Sequence, residues 1–333
     1  MGMTAADLSF GYAAPKVSVL VLCFNHERFL LECLDSIRAQ SCADYELIIA
    51  DDASTDGSQP LIQRWIDANW PGALFVRHDQ NAGVCATLAE LMRHARGQYI
   101  SMVATDDVWE PDRLRTLLSA IEAQPQAAVA YSDAMQMDET GKFLPETFMQ
   151  AHGYRDRKPP AGRVFSALAD GNFIPAMATV IRRSAIDAVG GYDPTLSYED
   201  YDMWLKLADQ YDFCFVDELT ARYRIVATSM VRTLFVRPSA AHSRTVIRIV
   251  DRWIDSGRLS VGQRKRWALR RLDASYSLFV HNQEDAGRQL WGSALRVREP
   301  YWLFLGLVAL SGIRRSTIFA VRQRLLKARR RWQ

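Results

Sequence analysis

Residues 16–52, KVSVLVLCFNHERFLLECLDSIRAQSCADYELIIADD, decide the fold class of this 333-residue chain. The β-branched and apolar run at 16–25 predicts a strand buried on both faces, as in a parallel sheet. Apolar residues from Phe29 to Ile37 then recur at helical spacing. A second apolar strand at 45–52 ends in two aspartates. Strand, helix and strand therefore follow one another, as in a crossover between parallel strands.

The same alternation continues to residue 123, with further apolar strands at 73–78 and 98–104 and a helical pattern after each. This order predicts an α/β fold with an open, mostly parallel sheet and helices on both faces. Gly97 follows one predicted helix, where we expect it to act as a C-terminal cap. The polar, Gly-, Pro- and Arg-containing stretch 139–163 predicts a mobile loop.

Composition and charge indicate an ordinary globular protein, with 49% apolar and 24% charged residues and a net charge of +3. Five scattered cysteines without a C-x-x-C pair, and a start without a signal-peptide pattern, favour the cytoplasm. Strand patterns end near residue 229. We therefore expect an N-terminal tail at 1–14, an α/β domain at 15–229 and an α-helical C-terminal extension at 230–333.

The C-terminal end is basic, since residues 314–333 contain eight Lys or Arg and no Asp or Glu. It follows an apolar segment, 301–313, whose 13 residues are too few to span a bilayer as a straight helix. This pattern predicts a helix or hairpin at an anionic membrane surface. A packed helical subdomain with a basic last helix is the alternative. No nucleic-acid-binding motif accompanies the basic end, so we expect no nucleic acid partner.

Acidic pairs stand at three predicted strand ends or helix starts, at 51–52, 106–107 and 199–200. Ligands of open α/β sheets bind beyond the carboxyl ends of the strands. Acidic clusters without nearby Lys or Arg favour a hard cation, and Mg²⁺ or Mn²⁺ held by carboxylates and substrate phosphates is a common arrangement. Each single pair could instead shape a turn or begin a helix.

Other nucleotide and catalytic sites lack their motifs in this chain. There is no G-x-G-x-x-G after the first strand and no G-x-x-x-x-G-K-[ST] phosphate loop. The six histidines show no H-x-x-x-H spacing for zinc, and no G-x-S-x-G nucleophile elbow is present.

Three segments together resemble the family 2 glycosyltransferases of bacterial cell-surface polysaccharide synthesis, which have the GT-A fold. They are KVSVLVLCFNHERFLLECLDSIRAQSCADYELIIADDASTDGS, HDQNAGVCATLAELMRHARGQYISMVATDDVWEPDRL and GGYDPTLSYEDYDMWLKLA. Their order and spacing match the family over about residues 15–228. The resemblance implies metal-assisted transfer, with inversion, of a sugar from a nucleotide-diphospho-sugar to an acceptor hydroxyl. It also implies a lipid-linked or cell-surface glycan as the acceptor, at the inner face of a bacterial membrane.

The resemblance implies a pocket for the nucleotide base at the ends of the first strands. In it Asp52 accepts a hydrogen bond from the base. The pocket walls are the strand end at Phe24 and Asn25 and the turn from Asn81 to Gly83.

The resemblance also implies roles for the later acidic residues. Asp106 contacts the ribose or the metal, Asp107 coordinates the divalent cation, and Asp200 is the catalytic base. The start of a helix at Asp200 is expected to favour its ionised form. Two positions depart from the family pattern: Ala104 replaces the first aspartate of D-x-D-D, and Val226 replaces a histidine of Y-R-x-H.

Further features limit the chemistry. No Q-x-x-R-W motif is present, so we expect one sugar per encounter rather than processive synthesis. Arg222 or Arg224 are further candidates for phosphate contact. A nucleotidyltransferase would share the sheet and the acidic motif, but its Gly-rich basic loop is absent where this chain has CFNHERF. A non-catalytic nucleotide- or glycan-binding relative is the other alternative.

Overall fold

The computed structural model describes residues 14–226, 239–281, 283, 285–297, 303, 306–307 and 310. Contacts divide them into two compact units, one from 14–195 and 199–226, the other from 196–198 and the described residues beyond 238. Several predictions therefore lie outside the described residues: the tail before residue 14, the boundary near 230, most of the apolar segment 301–313 and the whole basic end.

The first unit contains the alternating strands and helices that the sequence predicts. Its strands are β1 (Val17–Cys23), β2 (Tyr45–Asp51), β3 (Leu74–Arg77), β4 (Tyr99–Ala104), β5 (Val108–Trp109), β6 (Ala127–Met137), β7 (Phe143–Thr147), β8 (Thr179–Arg182) and β9 (Asp212–Arg224). Its α-helices are α1 (Leu30–Arg38), α2 (Ser58–Asn69), α3 (Val84–His94), α4 (Arg113–Glu122), α5 (Phe165–Asp170), α6 (Arg183–Ala188) and α7 (Asp200–Gln210). A π-helical turn at Gln150–Tyr154 and a 3-10 turn at Ala176–Ala178 lie between them.

The described strands form one sheet in the order β3-β2-β1-β4-β8-β6-β9-β5, with β7 paired to β6. Strands β1 to β4 are parallel, as expected for crossover units. The later part is mixed: β6 and β9 are parallel, whereas β8, β5 and β7 pair antiparallel with their neighbours. The expected α/β sheet is present, and its parallel pairing is concentrated in the first half. Strand β5 has only two residues, which is too short to show a hydrophobic periodicity in the sequence.

The core lies between the parallel strands and their crossover helices. Nearly every residue of β1, β2 and β4 is buried. Helix α1 buries one apolar stripe: Leu30, Cys33, Leu34 and Ile37. Because both faces of these strands are covered, polar side chains collect where the strands end.

Two local predictions are wrong. Residues 139–163 are not one loop, because β7 pairs with β6 and a π-helical turn follows it. Gly97 is not the cap of α3, since that helix ends at His94 with Ala95 as its C-cap. Gly97 instead permits a close approach of two backbones, since a Cβ there would lie 2.4 Å from the Ser18 nitrogen.

The second unit is helical in its described part, with α8 (Ala240–Trp253), α9 (Val261–Val280) and α10 (Ala286–Val297). Helix α9 begins with a capping box between Ser260 and Gln263. Arg271 of α9 makes a bidentate ion pair with Asp251 of α8, at 2.6 and 2.9 Å. None of the described helices is both long and apolar enough to cross a membrane.

Candidate active site

The carboxyl ends of β1, β2 and β4 meet at one edge of the sheet. The N–H of Asp52, just after β2, donates to the Cys23 carbonyl at 2.9 Å. The N–H of Thr105, just after β4, donates to the Leu22 carbonyl at 2.9 Å. The acidic pairs that follow β2 and β4 therefore flank the turn that follows β1.

The turn after β1 contains the predicted pocket residues Phe24 and Asn25. Asn25 has a positive φ of 56°, which asparagine tolerates better than most residues. Its N–H donates to Ser54 Oγ at 2.8 Å, and its Oδ1 accepts from the Thr55 N–H at 2.7 Å. The Phe24 side chain remains 44% exposed at this edge. Asn25 thus joins the turn after β1 to the turn after β2, with an aromatic ring beside it.

Asp52 is buried and joins the predicted pocket residues directly. Its Oδ1 accepts from the Ala82 N–H at 2.7 Å, and its Oδ2 accepts from the Gly83 N–H at 2.9 Å. Its own carbonyl accepts from Asn81 Nδ2 at 3.1 Å. His78 Nδ1 lies 2.7 Å from the same Oδ1. The 81–83 turn is therefore held by Asp52, which keeps only part of its hydrogen-bonding capacity for a ligand.

Asp106 and Asp107 follow β4 at the same edge. Asp107 is only 4% exposed, and its Oδ1 accepts from the Arg224 N–H at 2.9 Å. Burial raises the pKa of Asp107 well above its usual range, the adjacent Asp106 charge raises it further, and Arg224 opposes both. His26 Nδ1 lies 3.7 Å from Asp106 Oδ1. Burial and the neighbouring Asp106 thus disfavour the ionised form of Asp107, and a bound cation would favour it.

The Arg224 side chain is nearly buried, at 2% exposure, beneath this pair. Its Nε donates to the Asp106 carbonyl at 2.9 Å and its Nη2 to Glu32 Oε2 at 2.5 Å, while its guanidinium lies 4.6 Å from the centre of the Phe29 ring. Arg222 is paired with Glu110. Both candidates for phosphate contact are therefore engaged with protein groups, and Arg224 supports the acidic pair from inside.

The donor set suits a hard divalent cation only in part. Among the described residues, no group of three or more His, Cys, Asp or Glu side chains could hold a metal ion. Asp106 and Asp107 provide two carboxylates, which fits an Mg²⁺ or Mn²⁺ ion whose other ligands are substrate phosphates and water. The two aspartates therefore fit an ion that is coordinated jointly by the protein and the substrate, and not one that is coordinated by protein side chains alone.

Asp200 is the first residue of α7 and is held by two donors. Asn172 Nδ2 donates to its Oδ2 at 2.7 Å, and the Tyr201 N–H donates to its Oδ1 at 2.6 Å. Burial raises the pKa of Asp200, and these two donors with the charge of His152 lower it, but burial prevails. The backbone donors at the helix start favour the ionised form of Asp200, and burial of the carboxyl opposes them and prevails.

The start of α7 lies close to the first turn of α3. Burial, and then the charges of Glu199 and Asp200, raise the pKa of the Cys85 thiol, which is two residues after Gly83. The start of α7 is therefore near Cys85, in the first turn of α3. Burial and the charge of Asp200 also raise the pKa of Glu199.

Sequence reasoning missed three residues at this site: His78, Asn172 and Glu32. His78 was detectable in principle, since it directly follows β3 and precedes the Asn81 turn. Asn172 and Glu32 carry no such signal, because they contact Asp200 and Arg224 from distant parts of the chain.

Comparison with known proteins identifies relatives over the first unit. The family model described as Glycosyl transferase family 2 matches residues 18–190, more than half of the chain. EpsE of Bacillus subtilis (strain 168), named as a provisional glycosyltransferase, is 29% identical over 60% of this chain and 68% of its own length. Chondroitin synthase of Escherichia coli is 26% identical over 62% of this chain, which spans only 28% of that relative.

Solved structures share the architecture at low identity. S. aureus TarS 1–349 in complex with UDP-GlcNAc superposes with a TM-score of 0.62 at 16% identity, covering 89% of this chain and 87% of that one. The mannosyltransferase PcManGT of Pyrobaculum calidifontis, in complex with GDP-Man and Mn²⁺, gives a TM-score of 0.55 at 16% identity, covering 90% of this chain and 86% of that one. At such identities the likeness shows the fold, and the fold is GT-A.

Proposed function

The chain is a glycosyltransferase that belongs to glycosyl transferase family 2, and we propose that it transfers one sugar from a nucleotide-diphospho-sugar with inversion. The observation that carries this proposal is the position of two acidic groups at one edge of the sheet, Asp52 with its turn after β2 and the pair of Asp106 and Asp107 after β4. The charge of Asp200 acts on Cys85, in the helix that follows the Asp52-held turn. The match of the family model over residues 18–190 favours a glycosyltransferase over the alternative of a nucleotidyltransferase.

The nucleotide base is proposed to bind between Phe24 and the Asp52-held turn. Asp52 accepts an N–H of the base, while Asn25, Asn81 and Gly83 shape the pocket wall. The complexes of TarS with UDP-GlcNAc and of PcManGT with GDP-Man support a nucleotide-sugar donor as the ligand class.

The diphosphate is proposed to lie beside the second acidic pair. Asp107 would hold a divalent cation, Mn²⁺ or Mg²⁺, with Asp106 on the metal or ribose side. Such an ion, when bound, supplies Lewis-acid stabilisation of the nucleoside diphosphate leaving group. The raised pKa of Asp107 is consistent with this role, because a bound cation would stabilise the ionised form that burial and Asp106 disfavour.

Asp200 is proposed to be the catalytic base. The acceptor hydroxyl oxygen attacks the anomeric carbon as the bond from that carbon to the diphosphate oxygen breaks, and the hydroxyl proton passes to Asp200. A single displacement of this kind inverts the configuration at the anomeric carbon. Asn172 and the Tyr201 N–H orient the carboxylate, and burial supports proton acceptance by raising its pKa.

The acceptor is proposed to be a lipid-linked or cell-surface glycan, and the location the cytoplasmic face of a bacterial membrane. Support comes from the charge pattern at 314–333, which would attract an anionic surface. Removal of residues 300–333 should release the protein from anionic vesicles. Equal vesicle binding with and without this segment would contradict the membrane proposal.

The proposed activity is tested with a panel of nucleotide-diphospho-sugars in the presence of Mn²⁺ or Mg²⁺. We expect one donor to be bound and slowly hydrolysed, and hydrolysis to be lost in Asp107→Asn. Asp187→Asn, an exposed carboxylate on α6, is the matched control and should hydrolyse normally. Binding of no donor on the panel would contradict the proposal.

A further inference from the structure

The His78 ring lies between two carboxylates from different elements. Its Nδ1 is 2.7 Å from Asp52 Oδ1, and its Nε2 is 3.0 Å from Glu90 Oε2 on α3. The backbone N–H of His78 donates to the Asp51 carbonyl at 3.0 Å and continues the β2–β3 ladder. The ring is therefore fixed at its backbone and at both nitrogens, between the end of β2 and the second turn of α3.

Two carboxylate partners require two donors. An ionised carboxylate only accepts hydrogen bonds, and a neutral imidazole has one donor and one acceptor nitrogen. Both contacts of His78 are satisfied together only when the ring is an imidazolium. Asp52 and Glu90 are the charged groups that face it from β2 and α3, and Arg93 approaches the other Glu90 oxygen at 3.8 Å.

The balance of forces on the ring agrees with this geometry. The side chain is only 11% exposed, and burial on its own lowers the pKa of His78. The hydrogen bonds and charges of Asp52 and Glu90 outweigh burial, so the pKa is raised above its ordinary value. A raised histidine pKa means that the proton is retained to a higher pH than in a free imidazole and is lost as the pH rises through the raised value.

We propose that His78 is a positioning residue whose protonated ring fixes the Asp52 carboxylate. The protonation of His78 thereby makes the nucleotide-base pocket sensitive to pH. The link from Asp52 to the base rests on the proposed function. When the ring loses its proton to solvent, it can donate to only one of the two carboxylates. The carboxylate of Asp52 or of Glu90 then faces the lone pair of the deprotonated ring nitrogen. The Asp52 carboxylate is fixed less firmly, its hydrogen bonds to the 81–83 turn weaken, and the affinity for the nucleotide base falls.

Two substitutions separate the two ring nitrogens. In His78→Asn, the amide nitrogen occupies the place of Nδ1, so a donor toward Asp52 remains that cannot titrate. In His78→Gln, the amide nitrogen occupies the place of Nε2, so the donor toward Glu90 remains and the one toward Asp52 is lost. His94→Asn, at an exposed position at the end of α3, is the matched control.

The first experiment measures the affinity of the full chain for UDP and GDP by calorimetry from about pH 6 to about pH 8.5. At each pH, the wild-type affinity is divided by that of His78→Asn, which cancels the effect of ionisation of the nucleotide. We expect this ratio to fall as the pH rises. His78→Gln should bind about tenfold more weakly at every pH, since a hydrogen bond to a charged group is lost. His94→Asn should follow the wild type. Parallel profiles for the wild type and both His78 variants would overturn the inference and leave the proposed function standing.

The second experiment needs no nucleotide. Nitrogen NMR of the ligand-free chain should show both His78 ring nitrogens protonated at neutral pH, and in Glu90→Gln the ring should lose its proton at lower pH. A neutral His78 ring at pH 7 would overturn the inference even if nucleotides bind. Failure of every nucleotide to bind, with an imidazolium still observed, would overturn the proposed base pocket and with it the role of His78 there.

Discussion

Replacing Arg224 with methionine should destabilise the first unit and impair transfer together. The substitution keeps an unbranched apolar chain but removes the guanidinium from beneath the acidic pair. The Asp106 carbonyl loses a donor at 2.9 Å, which costs about 1–2 kcal/mol for a buried group. Loss of the cation from the Phe29 ring costs about 0.5–1 kcal/mol. Glu32 is 49% exposed, so the loss of that ion pair adds at most about 0.5 kcal/mol.

The total expected loss for Arg224→Met is about 1.5–3.5 kcal/mol in the free energy of unfolding. Arg222→Met is the matched control, because Arg222 lies two residues earlier on β9 and pairs with the partly exposed Glu110. That pair should contribute less than about 1 kcal/mol.

The assay is equilibrium urea unfolding followed by tryptophan fluorescence, with donor hydrolysis measured on the same samples. Arg224→Met should also lose affinity for the divalent cation, because Asp106 and Asp107 lose their internal support, whereas Arg222→Met should keep it. Equal stability and equal cation affinity in the two variants would refute the reasoning.

Three further predictions concern the same unit. Gly97→Ala should cost about 2 kcal/mol or more, because its Cβ would lie 2.4 Å from a backbone nitrogen of β1, whereas Gly72→Ala, with open space around it, should cost little in a thermal melt. Asn172→Ala should move the acidic limb of the kcat/KM–pH profile to higher pH, because it removes a donor that lowers the Asp200 pKa; an unmoved limb would contradict this. Asp107→Asn should lose transfer but unfold at an equal or higher urea midpoint than the wild type, because it removes a buried carboxyl whose ionised form is disfavoured by burial and by the Asp106 charge. A lower midpoint would contradict this.

Strands β1, β2 and β4 of the parallel half were predictable because they are apolar runs of six or seven residues separated by amphipathic helices. The positions of Asp52 and Asp106 at the ends of such runs were enough to place them at one edge. The mixed half was not predictable in the same way. Strand β5 has only two residues, and β7 is a half-exposed partner of β6 that contains Pro145.

The supporting contacts of the site could not be predicted from spacing. The sequence suggested Arg222 and Arg224 equally as phosphate ligands, because residues two apart on a strand lie on the same face and the pattern does not say what each one contacts. The structure separates them: Arg224 lies inside against Glu32, 192 residues away along the chain, and Arg222 lies at the margin with Glu110. The opposing effect of burial on the pKa of Asp200 could not be predicted for a related reason, since burial by distant segments cannot be read from the sequence of a helix start.

The measurement that most directly tests the central claim compares Asp200→Asn with the wild type in donor binding and in sugar transfer, using the donor that the panel identifies. Loss of a general base should lower transfer by about a hundredfold to ten-thousandfold. Donor affinity should stay within about twofold, because Asp200 is not proposed to contact the donor nucleotide. Unchanged transfer in Asp200→Asn would contradict the assignment of Asp200 as the catalytic base. Loss of donor binding together with transfer would contradict the proposal that Asp200 does not contact the donor nucleotide.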